Sequence, residues 1–164
     1  MKYRQSYNYG KEKEKEFRGV CERLKIHTEG GTKRQDIQDH IDGFIILWGK
    51  LWGYDFKAQK KKRRGDDDFS SEIWIELANV QGKKGWLYGK AEFIIFETKD
   101  QYLIVNREKL SEFIDKAVDK GKVLTYPCMY KLYQRRGRKD LITLIKEKDL
   151  EEYTVERIEK NDLP

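Results

Sequence analysis

Apolar residues recur at i, i+3, i+4 and i+7 early in the chain. Phe17, Val20, Cys21 and Leu24 form one stripe, which predicts an amphipathic helix beginning at Lys11. Residues 1–10 hold three Tyr and little periodicity, and read as a flexible N-terminal arm. Gly30-Gly31 should end any helix and open a polar loop to about Asp39. The pattern then shortens to that of strands. Residues 41–48 are dense in β-branched and aromatic side chains, Gly49-Lys50 is a hairpin-turn signal, and residues 51–59 read as the returning strand.

Residues 60–68 form a charged loop, followed by a strand over 73–77, a turn at 82–85 and a continuation through Trp86-Leu87-Tyr88. Residues 91–97 and 102–105 pattern as a hairpin about Lys99-Asp100. Leu110, Phe113, Ile114 and Ala117 share one face of a second helix that Gly121 should stop. Residues 130–133 and 141–145 pair about a basic tip, and the tail from Asp149 has modest helical character. This order predicts an α/β fold, a single domain over residues 11–164 with a central mixed β-sheet flanked by helices. Its core would run to about residue 120, with a C-terminal basic hairpin and tail over 121–164.

Composition narrows the class. The 164 residues suit one domain. Charged residues reach 39%, which alone would fit disorder, but 13% aromatic residues argue for a packed core. The longest apolar run, Phe44-Ile45-Ile46-Leu47-Trp48, is far short of the roughly 20 residues of a membrane-spanning helix. A polar N-terminus without a secretory leader, and two Cys without metal-ligand spacing, lead to the expectation of a soluble protein in a reducing, cytoplasmic compartment. For a viral protein that would be the host cytoplasm. A net charge of +6 fits a phosphate-bearing partner, though it equally serves solubility.

The chemistry-bearing constellation lies between residues 42 and 59. With period-two alternation Asp55, Lys57 and Gln59 share one strand face, while Tyr54, Phe56 and Ala58 anchor the other. Asp42, on the neighbouring strand, comes within reach of Asp55. Two adjacent carboxylates repel unless a cation lies between them, and Mg²⁺ is usually held by one or two carboxylates plus water and substrate phosphate. With Lys57 beside it, such a pair makes a phosphodiesterase site. The plainer reading of Asp55 and Lys57 is an exposed ion pair of little consequence.

A helix, then His40-Ile41-Asp42 entering a strand, then Tyr54-Asp55-Phe56-Lys57 with Gln59, resembles the PD-(D/E)xK nuclease superfamily, whose fold is restriction-endonuclease-like. The likeness covers residues 11–105 as an order of elements and is specific at residues 42–59. Residues 73–77 and 85–92 resemble small nuclease-like proteins of bacteriophages. The resemblance implies Asp42 and Asp55 as metal ligands, the carbonyl of Phe56 as a further ligand, Lys57 as the catalytic lysine, and Mg²⁺ or Mn²⁺ as cofactor. Ile41 stands where the family motif has Pro. Many members add a Glu from the first helix. Among Glu12, Glu14, Glu16 and Glu22, Glu16 best fits that pattern, a solvated helix-edge charge being the alternative. His40 is a candidate to orient a carboxylate or water, and Glu76 a supporting acid.

Two basic clusters are candidate phosphate contacts: Lys60, Lys61, Lys62, Arg63 and Arg64 directly after the Asp55 strand, and Arg135, Arg136 and Arg138 at the hairpin tip. Phosphate contacts position a nucleic acid without reading its sequence. The expectation is therefore a divalent-metal-dependent nuclease acting on DNA, with RNA and a homodimer left open and no membrane partner. The alternatives are a non-catalytic nucleic-acid-binding module on the same fold and a protein-interaction domain.

Overall fold

The apolar stripe becomes the buried face of α1, Lys2–Arg23, in the computed structural model, which describes residues 2–62 and 69–161. The helix starts nine residues before Lys11, so residues 2–10 are its first turns and not the expected arm. Polar Tyr and Lys residues carry no apolar period yet are compatible with a helix. Tyr9 is held there, its hydroxyl donating to the Gln59 carbonyl at 3.2 Å. The helix ends before Gly30: Lys25 takes a positive φ of 59°, and the Ile26 N–H donates to the Cys21 carbonyl at 2.8 Å. This is the Schellman arrangement, made without glycine.

The fold is α/β with mixed sheets, and the described residues gather into two compact units. Residues 2–60, 90–105 and 154–161 form the first, and 61–62, 69–89 and 106–153 the second. The subdivision expected near residue 120 falls inside the second unit. The first unit holds a six-stranded sheet of β1 (Thr28–Gly30), β2 (Gly43–Leu47), β3 (Lys50–Lys57), β5 (Phe93–Glu97), β6 (Gln101–Asn106) and β10 (Thr154–Glu159), in the spatial order β1-β2-β3-β5-β6-β10. β1, β2 and β3 pair antiparallel, β3 and β5 pair parallel, and β10 pairs antiparallel with β6. A parallel neighbour requires a long crossover, and residues 58–92 supply it. β10 replaces the helical tail read from the sequence. Its burial alternates in the strand sense, and only residues 147–153 before it are helical, as a 3₁₀ turn.

The hairpin joining β2 to β3 turns at Trp48-Gly49, both with positive φ (51° and 74°), one residue earlier than Gly49-Lys50. Two positive φ values match the right-handed twist of the paired strands. α1 lays Phe17, Val20 and Cys21 on this sheet, against Ile45, Tyr54, Phe56, Ile95, Tyr102 and Ile104. The Phe17 ring meets Tyr54, Phe56 and Tyr102 with centroids 5.6, 5.6 and 5.0 Å away.

In the second unit β4 (Glu72–Ala78), β9 (Leu141–Lys146), β8 (Lys131–Tyr133) and β7 (Asp119–Leu124) form a four-stranded sheet in that order, with α2 (Arg107–Ala117) in the same unit. Asn106 caps α2, its side chain accepting from the Lys109 N–H at 3.0 Å. Gly121 is not the C-cap. The helix turns out at Val118, and Gly121 lies within β7. Trp86-Leu87-Tyr88 is a 3₁₀ turn with Trp86 and Leu87 buried, not a continuing strand. Among the described residues no helix is long and apolar enough to cross a membrane.

Candidate active site

Asp42 precedes the first residue of β2 and completes the ladder to β3 in place of a strand residue. Its N–H donates to the Tyr54 carbonyl at 2.8 Å, and its Oδ2 accepts from the Phe56 N–H at 2.9 Å. The carboxylate thus stands where a backbone carbonyl would continue the pairing, which fixes it beside Asp55. Gly43, the next residue, lets the β1 backbone and the Tyr54 ring close in: a Cβ there would lie 2.5 Å from the Glu29 carbonyl oxygen and 2.6 Å from the Tyr54 hydroxyl.

Asp55 is buried at 3% exposure in the middle of β3. Lys57 Nζ lies 2.7 Å from its Oδ1, so the two share a face as the alternation predicts. Asp55 Oδ2 is buried with no hydrogen-bond partner among the described residues. Burial pushes the Asp55 carboxyl well up, Lys57 pulls it back in part, and the charge of Asp42 raises it further. Asp42 is displaced the other way. Its burial opposes ionisation, but the Lys57 charge, the Phe56 N–H, the neighbouring Asp55 carboxyl and Lys11 outweigh that and hold it below the usual carboxylate range. The two shifts run in opposite directions, so ionisation is favoured at Asp42 and opposed at Asp55.

A cavity of about 180 Å³ opens on these groups, lined by Tyr7, Gly10, Lys11, Glu14, Asp36, His40, Asp42, Asp55, Phe56 and Lys57. The helix glutamate in it is Glu14, not Glu16. Glu16 is exposed and pairs with Lys13 at 2.8 Å. Glu14 is buried at 7%, accepts from the Tyr54 hydroxyl at 3.4 Å, and lies 3.2 Å from Lys11. Burial and the neighbouring Asp42 raise its carboxyl against the pull of Lys11. Lys11 itself reaches Asp42 at 3.0 Å and Asp36 at 3.6 Å. Burial disfavours its ammonium, and the surrounding carboxylates more than restore it. The sequence ranks Glu16 ahead of Glu14 and does not single out Lys11, although Glu14 lies three residues before Phe17 and seven before Cys21 on the same helix row.

His40 lies not on a strand with Asp42 but at the end of a π-helical turn, Gln35–Asp39, with φ 54°, and from there it lines the cavity. Gln59 lies beyond β3 and outside the lining residues. It is buried, and its N–H donates to Glu97 Oε2 at 3.0 Å. Lys60 belongs to the first unit, and Lys61 and Lys62 to the second, with Lys61 bridging to Phe69. Arg63 and Arg64 lie outside the described residues. In the second unit Arg135 is engaged by fully buried Asp140, through Nε at 2.5 Å and its N–H at 3.1 Å. Arg136 and Arg138 are exposed at the tip, where Gly137 takes a φ of 74°. Glu76 lies on β4 of that unit.

Among the described residues no three His, Cys, Asp or Glu gather closely enough to hold a metal ion. The candidate ligand set is the pair Asp42 and Asp55. A pair suffices for Mg²⁺, which takes its remaining ligands from water and substrate phosphate, and the unpartnered Asp55 Oδ2 is a donor atom suited to such an ion. The chain matches no family model, no curated protein and no solved structure.

Proposed function

We propose that this chain is a divalent-metal-dependent nuclease hydrolysing DNA phosphodiester bonds, with the PD-(D/E)xK nucleases as the likeness behind that reading. The observation that carries it is the buried, unpartnered Oδ2 of Asp55 beside Asp42 and Lys57 at the edge of a cavity. Asp42 and Asp55 would hold Mg²⁺ or Mn²⁺, with the Phe56 carbonyl as the further ligand that the resemblance implies. When bound, the ion lowers the pKa of a coordinated water and neutralises charge on the phosphate.

The remaining roles belong to the chain. Lys57 supplies a compact positive charge where negative charge develops on the scissile phosphate. Its 2.7 Å contact with Asp55 holds that ammonium in place before substrate arrives. Glu14 takes the part assigned to a helix glutamate, with its carboxyl raised and therefore suited to exchange a proton with a water in the cavity.

A second reading has its own support. Lys11 and Lys57 already pair with Asp42 and Asp55, which suits a nucleic-acid-binding module without chemistry. Incubating linear and branched DNA with Mg²⁺ or Mn²⁺ separates the two. Cleavage that disappears in Asp55→Asn and in chelator, and slows by orders of magnitude in Lys57→Ala at saturating DNA, supports the nuclease. DNA binding without cleavage in either metal rejects it for the binding module.

A further inference from the structure

A second, larger concavity adjoins the site. It has a volume of about 860 Å³ and runs between α1 and β1, sharing Lys11, Glu14 and Asp42 with the smaller cavity. Its other charged walls are mainly basic: Lys15 and Arg18 from α1, and Lys25 just past the end of that helix, with Glu22 as the opposing charge. Lys11, Lys15 and Arg18 stand at i, i+4 and i+7, one row of a helix. The row covers about 10 Å along the axis at roughly 1.5 Å per residue.

Lys15, Arg18 and Lys25 make no ion pair among the described residues, whereas Lys11 and Lys13 are each tied to carboxylates. The Arg18 guanidinium lies over Gly30 of β1, where a Cβ would come within 3.2 Å of Nη1. Glycine at that position leaves room for the flat group on the groove floor. In the sequence these cations are hidden, because α1 alternates Lys and Glu and shows no basic run. Folding sorts them, carrying Glu12 and Glu16 to other faces.

We propose that this groove is the path of a DNA phosphate backbone, with Lys15, Arg18 and Lys25 as phosphate contacts leading a strand to Asp42 and Asp55. The proposal rests on the nuclease reading for what happens at the end of the path. DNA carries one phosphate per roughly 3.4 Å of rise on each strand, so the row spans about three nucleotide steps. The preassembled, unpaired cations gain by releasing the counterions of a polyanion, and no apolar surface is required.

The test is fluorescence anisotropy of a short labelled duplex, and of one of its strands, titrated with protein in chelator over a range of salt. The variants are Lys15→Gln/Arg18→Gln/Lys25→Gln and, as a check on folding, the exposed pair Lys15→Gln/Lys25→Gln. Lys109→Gln/Lys116→Gln on α2 removes the same charge as that pair at exposed positions elsewhere. The groove variants should bind more weakly and flatten the log–log salt dependence by up to about 0.9 per lost contact on duplex, or about 0.7 on a single strand. The α2 pair should leave the slope unchanged.

Equal slopes in the groove pair and the α2 pair overturn the path, as does failure of the unaltered protein to bind either DNA. Flattened slopes without cleavage in Mg²⁺ or Mn²⁺ leave the groove as a DNA-binding surface and reject the hydrolytic reading. Cleavage with unchanged slopes does the reverse.

Discussion

Replacing Phe17 with alanine tests the packing that carries the site. Phe17 is fully buried and touches three aromatic rings, two of which, Tyr54 and Phe56, bracket Asp55 on β3. Truncating a buried Phe to Ala typically costs about 3–5 kcal/mol, as lost transfer energy plus the cavity left behind. The upper half of that range is expected here, because each ring pair adds about 0.5–1.5 kcal/mol beyond area burial. Cys21, one turn along the same helix, is a natural reporter: it is fully buried and its thiol is pushed up to about 12, mainly by burial. In a Cys128→Ser background, which leaves one thiol, labelling of Cys21 by a disulfide reagent requires the first unit's core to open. At about 1.4 kcal/mol per factor of ten, Phe17→Ala should accelerate labelling by roughly three to three and a half orders of magnitude. The urea midpoint should fall correspondingly at constant m-value. Tyr7→Ala, at a position 53% exposed, should stay within about 0.5 kcal/mol of the parent. A less than tenfold acceleration in Phe17→Ala, or an equal effect of Tyr7→Ala, would refute the assignment of Phe17 as the anchor of α1.

Two further outcomes follow from the carboxylates. Burial raises the Asp55 carboxyl in the folded state, so the native chain binds a proton there more tightly than the unfolded chain. Its contribution to stability is greatest in acid, and is lost as pH rises from the unfolded value near 4 through the higher folded one. In chelator, Asp55→Asn should therefore gain in melting temperature relative to the parent as pH rises toward neutrality. A difference independent of pH counts against a raised, buried Asp55 carboxyl. Glu14→Gln should slow metal-dependent cleavage and shift its pH profile, because Glu14 lines the cavity. Glu16→Gln, at the exposed pair with Lys13, should match the parent in a single-turnover assay, and the reverse order would return the role to Glu16.

Some of this was written in the chain itself. The Phe17, Val20, Cys21 and Leu24 stripe defined the buried face of α1, because packing a helix on a sheet needs only a local apolar period. Alternation along residues 54–57 separated Tyr54 and Phe56 from Asp55 and Lys57, because a strand has only two faces. The hairpin between Asp42 and Asp55 was equally local. What remained depended on contacts distant in sequence. Glu14 and Glu16 flank the stripe on opposite sides at about 100° per residue, and only the position of Asp42 decides which side is the site. Residues 2–10 show no period, yet Tyr9 is fixed by the Gln59 carbonyl, fifty positions away. The division into two units arises where β5 returns to lie parallel to β3 and β10 returns to β6. The basic row on α1 emerges from a Lys/Glu mixture only when the helix turns its faces apart. Local periodicity is a property of neighbouring residues, whereas the side of a helix that meets a carboxylate is a property of the closed chain.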